Sequence, residues 1–313
     1  MKISCIIPTM NRYDTLKETI ESYISGSSIP DQLVIVDQSE VETTRGKIRS
    51  LAESYSDRME VTYFHQSLPS LTAARNKGVQ LAHHDLIIFS DDDVTVQSDT
   101  IHNVETLMSD GTVAMIAGIN SREELSNSKI GYLFGNKSFR NRKIGHVTKS
   151  MLGRFPMQKV TGTVETQWAM GFFFVVRKSL IERWSLRWDE GLTGYAFSED
   201  LDFSYSYYKC AKQEGLLCVL SDSVVVEHRV STEWRIPSQK TTMMYVINRE
   251  YLRYKHNMGF FSGIVMRWSN FGYLLFRIVK KAKPSEFIHA QIISNKHKKQ
   301  LKSGIIKPEW YYE

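Results

Sequence analysis

The sequence predicts an α/β chain: a mostly parallel central sheet flanked by helices, with a helical C-terminal extension. Three observations carry this. Apolar runs of strand length at 3–7, 33–36, 61–64, 86–89 and 114–119 alternate with segments of helical spacing, the order that builds a doubly wound sheet. Polar clusters follow several of these runs directly, and such strand ends are where open α/β sheets bind ligands. From about Ser238 the pattern is helical to the end of the chain.

The elements follow in order. MKISCIIPTMNR has one lysine and too short an apolar run for a signal peptide. It reads as a first strand, and a cytoplasmic globular part is expected. Leu16, Ile20, Tyr23 and Ile24 mark a helix, and the second strand ends in Asp37-Gln38-Ser39. Another helix begins near Ser70 and runs through Ala73, Ala74 and Leu81. The fourth run leads into three consecutive carboxylates, LIIFSDDDV at 86–94. Residues 120–167 are polar and basic with little periodicity, and read as an irregular, acceptor-facing region. A buried strand returns at 171–176, with a helix from Ser179 to about Trp184. A Gly-punctuated loop then enters a helix near Ser198, and the apolar run 216–226 ends in Glu227-His228-Arg229. The expected division is a catalytic domain over 1–235, with a nucleotide-binding half (1–118) and an acceptor-binding half (119–235), then a basic helical region over 236–313.

With 313 residues, 42% of them apolar, the chain can bury a sizeable core. The net charge of +6 is concentrated late, where lysines from Lys280 to Lys307 outnumber Glu286, Glu309 and Glu313. A basic tail points to an anionic surface. No nucleic-acid-binding signature accompanies it, so a membrane ranks ahead of nucleic acid. Cys5, Cys210 and Cys218 have neither metal nor disulfide spacing and read as buried apolar fillers in a reducing compartment.

The triple aspartate raises the chemical question. Three ionised carboxylates at the end of a buried strand repel one another unless positive charge sits among them. Hard oxygen ligands in this arrangement suit Mg²⁺ or Mn²⁺ shared with substrate phosphates. The competing reading is a solvated acidic turn.

Four pieces in order, IIPTMNR (6–12), VIVDQS (34–39), FSDDDV (89–94) and SEDLDFS (198–204), with His228 as a fifth, resemble glycosyltransferase family 2. The resemblance spans roughly residues 1–229 and implies the GT-A fold, a nucleoside-diphosphate-sugar donor and an inverting transfer. It implies that Pro8, Thr9, Asn11, Asp37 and Arg75 line the nucleotide pocket. Asp91 would bind the ribose or the sugar and Asp93 the metal, with Asp92 ambiguous between the two. His228 would complete the metal shell, although on spacing alone it reads as a surface or satisfied core histidine. Asp200 would be the base that takes the acceptor proton, with Glu199 orienting the acceptor. Both also stand at the start of a helix after a Ser198 cap, where carboxylates are common and the helix dipole is expected to lower their pKa. Trp168, Met170 and Gly171 occupy the acceptor-loop position. Trp168 would stack on a sugar face or, as an aromatic before a buried strand, belong to the core.

With one base, one metal and no nucleophile, direct displacement inverts the anomeric centre. The processive Gln-x-x-Arg-Trp segment is absent from the sequence, which favours one sugar per turnover. UDP-sugars are the default donor and dTDP-rhamnose the second choice. The expected acceptor is a saccharide hydroxyl in bacterial surface-polysaccharide synthesis, with a lipid-linked saccharide, a growing surface polysaccharide and a protein all open as its carrier. The alternative is a non-catalytic relative acting as a sugar- or nucleotide-binding scaffold. An oxidoreductase or nucleotidyltransferase is disfavoured, because PTMNR follows the first strand where a Gly-rich phosphate loop belongs. In the tail, Phe261, Ile264, Val265, Trp268, Leu275 and Ile278 form a helical stripe interrupted by Arg267 and Asn270, so a membrane-spanning helix is not expected. The stripe would lie on an anionic membrane, pack on the catalytic domain, or join a second subunit as a homo-oligomer.

Overall fold

The structure, a computed structural model, describes residues 1–122, 131, 133–135, 143–156, 158–194, 196–229 and 238–313. The expected boundary between 235 and 236, and most of 123–142 within the expected acceptor-facing region, lie outside the described residues.

The first half alternates as the sequence predicts: β1 (Ile3–Thr9), α1 (Tyr13–Ile24), β2 (Gln32–Asp37), α2 (Glu42–Glu53), β3 (Glu60–His65), α3 (Leu71–Leu81) and β4 (Leu86–Ser90). A short β5 (Val94–Val96), α4 (Thr100–Met108) and β6 (Val113–Asn120) complete it. Three short strands follow, β7 (His146–Val147), β8 (Gly153–Arg154) and β9 (Thr163–Glu165). Then come β10 (Phe173–Arg177), α5 (Lys178–Arg183), α6 (Glu199–Gln213) and the long β11 (Leu217–His228). The C-terminal region is α7 (Ser238–Lys255), α8 (Ser262–Val279), α9 (Pro284–Lys296), α10 (Lys298–Lys302) and a closing 3₁₀ turn at Pro308–Tyr312.

Nine strands form one sheet in the order β3-β2-β1-β4-β10-β6-β11-β5, with β9 also on β11. Strands β3, β2, β1, β4, β6 and β11 run one way; β10, β5 and β9 run against them. The antiparallel β10, wedged between β4 and β6, departs from a simple parallel winding. It returns the chain beside β4, so that Asp91 N–H donates to Phe172 O at 2.9 Å.

Alternate residues of the inner strands feed two cores, as the two-residue period of a strand requires. Ile3, Cys5 and Ile7 pack with α1, α2 and α4, whereas Ile6, Val34 and Val36 pack with α3, α5 and α6. A third core joins Met151, Trp168, Leu192, Ala196 and Leu201 to apolar residues of α7, α9 and the C-terminal turn. The C-terminal helices therefore share a core with the segments around α6. No helix is long and apolar enough to cross a membrane among the described residues. Cys5 and Cys218 are buried as expected, but Cys210 is only half-buried.

Candidate active site

The carboxyl ends of β1, β2 and β4 lie side by side, and the polar residues after them converge. Thr9 and Asp37 are the last paired residues of the β1–β2 ladder, with Pro8 buried one step before. Asp37 is fully buried; its Oδ1 accepts from the Ser39 N–H at 2.8 Å and its Oδ2 from the Tyr63 hydroxyl at 2.8 Å. Asn11 takes a left-handed backbone, φ 58°, which asparagine tolerates better than most residues. Its N–H donates to Ser39 Oγ at 2.8 Å, tying the turn after β1 to the end of β2.

The three aspartates part company here. Asp92 turns inward: Thr9 Oγ1 donates to its Oδ2 at 2.7 Å and Arg12 Nη1 to its Oδ1 at 2.9 Å. Burial pushes its pKa up to about 6, against the opposing pull of Arg12 and the Thr9 hydroxyl. Asp91 receives Arg75 Nη2 at 3.1 Å, and its pKa is raised by burial despite that contact. Asp93 places Oδ1 3.1 Å from His228 Nε2 and Oδ2 3.7 Å from Arg12 Nη1. The guanidinium groups of Arg12 and Arg75 thus supply positive charge among the carboxylates, with the His228 imidazole beside them.

His228 reaches the cluster because β11 pairs with β5, setting it opposite Val94, one residue beyond Asp93. Its ring stacks on Phe172 at 5.1 Å. Burial works to lower its pKa, but the hydrogen bond to Asp93 and the charge of Asp91 hold it above the ordinary value. One ligand atom each from Asp91, Asp93 and His228 lies within 4.8 Å of the others. Oxygen or nitrogen donors about 2.1–2.3 Å from a shared ion stand roughly 3–4.5 Å apart, so the set fits a divalent cation after slight closure.

The second carboxylate pair opens α6. Ala196 and Ser198 both hold left-handed backbones, φ 50° and 72°, and this turn aims Glu199 and Asp200 back toward the sheet. Ser198 occupies the expected cap position but makes no side-chain cap bond. Asp200 Oδ2 accepts from the Gly171 N–H at 2.9 Å and Oδ1 from the Leu201 N–H at 2.7 Å. Glu199 Oε1 accepts from Arg75 Nη1 at 2.8 Å. The expected lowering of these pKa values is corrected: burial raises both, and Glu199, with Asp200 beside it, is pushed up to about 8. Desolvation of an interior carboxylate outweighs the helix terminus.

Arg75 joins the two clusters. It is buried on α3, donates to Asp91, Glu199 and the Gly171 carbonyl, and lies 4.5 Å over the Trp188 ring. Gly171 has no room for more: a Cβ there would stand 2.9 Å from Arg75 Nη2 and 3.3 Å from Asp200 Cβ. Met170 is half-buried against two cores. The sugar-stacking alternative for Trp168 is corrected. The residue is buried, stacks on Phe155 at 4.5 Å and lies against Gly153, so it fills the core. Sequence reasoning gave no role to Arg12 or Tyr63. Arg12 had a signal in the charge the three aspartates demand; Tyr63, on a third strand, had none.

A family model described as Glycosyl transferase family 2 matches residues 4–184, more than half of the chain. The chain belongs to glycosyl transferase family 2. The matched segment contains Thr9, Asp37, Arg75 and the three aspartates; Glu199, Asp200 and His228 lie beyond it. Among solved structures, this family 2 chain resembles S. aureus TarS 1–349 with a TM-score of 0.60 at 13% identity, over 97% of this chain and 83% of that one. It also resembles the mannosyltransferase PcManGT of Pyrobaculum calidifontis, solved with GDP-Man and Mn²⁺, with a TM-score of 0.55 at 14% identity over the same shares. These likenesses establish the GT-A fold. The glucosyl-dolichyl phosphate glucuronosyltransferase of Haloferax volcanii is 29% identical over 107 residues, and the match spans 33% of this chain and 33% of that protein.

Proposed function

We propose that this family 2 chain transfers one sugar from a nucleoside-diphosphate sugar to a hydroxyl of a saccharide acceptor, with inversion. The observation that carries the reading is the pairing of two clusters through Arg75: Asp91, Asp93 and His228 on one side, Glu199 and Asp200 on the other. Asp91, Asp93 and His228 would hold Mn²⁺ or Mg²⁺, and an imidazole ligand favours Mn²⁺. A bound ion would stabilise the charge growing on the departing diphosphate. Pro8, Thr9, Asn11 and Asp37 line the base and ribose end, and Asp92 holds Thr9 and Arg12 in place. Arg75 reaches the site as a buried strut rather than a direct phosphate ligand.

Asp200 serves as the base. Two backbone N–H groups fix its carboxylate, leaving lone pairs for an acceptor hydroxyl, and its raised pKa makes it a better proton acceptor than a surface aspartate. Glu199 orients that hydroxyl, and Gly171 and Met170 form the wall beside it. Residues 1–118 supply the donor half, 119–235 the acceptor half, and 236–313 brace the latter. UDP-sugars are the first choice of donor, dTDP-rhamnose the second. A lipid-linked saccharide of bacterial surface-polysaccharide synthesis, used at the inner membrane face, is the acceptor class this reading favours.

Asp200→Asn is the direct test. It should lower kcat by about 10²–10⁴ while nucleotide affinity stays unchanged. Equal turnover of Asp200→Asn and wild type would remove Asp200 as base. Unchanged function of both Asp93→Ala and Asp200→Asn would favour the scaffold alternative.

A further inference from the structure

Helix α8 is amphipathic with the wrong face inward. Its buried positions are Ser262, Met266, Ser269, Asn270, Gly272 and Arg277. Phe261, Ile264, Trp268, Phe271, Leu275 and Ile278 are exposed, and their spacings of three and four residues make a single stripe. Trp268 is 48% exposed, Val279 79%, and Phe260 just before the helix 90%.

The cause lies in α7. Arg249 is fully buried and donates to Asn270 Oδ1 at 3.0 Å and Ser269 Oγ at 3.3 Å. Arg253 Nη1 donates to Ser262 Oγ at 3.0 Å, and Arg277 of α8 donates back to Thr242 Oγ1 at 2.9 Å. A buried guanidinium without acceptors costs more than an exposed apolar side chain, so these bonds fix the helix's rotation. The polar face is committed inward and the apolar face turns out. Phe134 reaches the middle of that face, its ring tilted 37° against Trp268 at 4.9 Å and edge-on to Phe271 at 6.1 Å, and the stripe stays exposed on either side. Phe134 and the Leu133 carbonyl, from the acceptor-facing region, thus cover Trp268 and Phe271 in part, while Ile264, Leu275 and Ile278 stay exposed and leave a membrane or a second copy as their occupant.

Charge decides between the remaining two. From residue 251 to 285 the chain has no acidic residue, but it has Arg253, Lys255, Arg267, Arg277, Lys280, Lys281 and Lys283. Arg267, Lys280, Lys281 and Lys283 are exposed beside the stripe. In a two-fold dimer the same patch meets itself, setting cation against cation. An anionic surface complements it, and a helix that is too polar to span lies along such a surface.

We propose that α8 docks the protein onto an anionic lipid bilayer, with the Phe261–Ile278 stripe at the acyl boundary and the flanking lysines and Arg267 among the headgroups. The proposal stands independently of the transfer chemistry, because none of these residues belongs to the candidate active site.

Co-sedimentation of the full chain with vesicles tests it, using phosphatidylcholine alone or phosphatidylcholine mixed with phosphatidylglycerol. Binding should require the anionic lipid and weaken with salt. The pair Lys280→Gln and Lys281→Gln should lower partitioning roughly 30-fold at low ionic strength. The pair Trp268→Ser and Phe271→Ser should abolish it, with circular dichroism and nucleotide affinity unchanged. Three results would overturn the proposal. They are no binding by folded wild type, equal binding by both double variants, or a dimer in light scattering that Trp268→Ser with Phe271→Ser dissociates while vesicles stay unbound. The lysine pair is exposed, so its result stands even if the apolar pair proves unstable.

Discussion

Buried Arg75 bonds to carboxyl groups of two elements at once, half-buried Asp91 after β4 at 3.1 Å and buried Glu199 at the start of α6 at 2.8 Å. Removing one partner of a buried charged set costs more than the set contributes. Arg75→Met should therefore destabilise the fold by about 3–5 kcal/mol in urea unfolding, and adding Glu199→Gln should restore part of that loss. Glu199 also makes a pH prediction. Its pKa rises from an ordinary 4.5 to about 8 in the fold. Below 4.5 it is protonated folded and unfolded, and its contribution is fully present. As pH rises the unfolded chain gives up that proton first, so stability falls until the folded pKa near 8 is passed. Melting curves of chelator-treated protein across this range should show the fall, and Glu199→Gln should flatten it. A wild-type slope matched by Glu199→Gln would place the titrating group elsewhere.

At the scale of elements, the turn before α6 depends on a helix far along the chain. Asn248 of α7 donates to the Phe197 carbonyl at 2.8 Å and accepts from the Tyr311 hydroxyl at 2.7 Å. Buried Asp202 of α6 takes His256 at 2.8 Å and Lys255 at 2.6 Å. These contacts hold the left-handed Ala196 and Ser198 from which Glu199 and Asp200 project. Asn248→Ala should accordingly lower kcat about tenfold or more while nucleotide affinity holds, because it loosens the base without touching the donor end. Equal kcat values would show that the turn holds itself. Periodicity revealed α6 and the two carboxylates at its start. The brace was hidden, since a hydrogen bond between residues 197 and 248 leaves no mark on local pattern. The same limit applies to α8, whose stripe shows on a helical projection but whose rotation is set by buried arginines on another helix.

Across the whole molecule, the alternation of strands and helices and the cluster of polar strand ends were legible from local sequence. Strand order was less so. Nothing local distinguishes β10 as an antiparallel insertion, and the three-residue β5 is too short for its period to register. The division of labour among Asp91, Asp92 and Asp93 was equally out of reach. Three identical side chains differ only in where β4 ends and in which of Thr9, Arg12, Arg75 and His228 each one meets. Trp168 went to the core because Phe155 and Gly153 form a slot for it. The fold thus brings a metal-competent cluster and the Glu199–Asp200 carboxylate pair to one rim, with a single arginine between them. Calorimetric titration of UDP, dTDP, GDP and CMP, with Mn²⁺ and with chelator, tests that centre most directly on wild type and Asp93→Ala. One nucleotide should bind only with metal, and Asp93→Ala should lose that binding. Folded wild type that binds none of the four, or binds one equally well with chelator, would contradict the account.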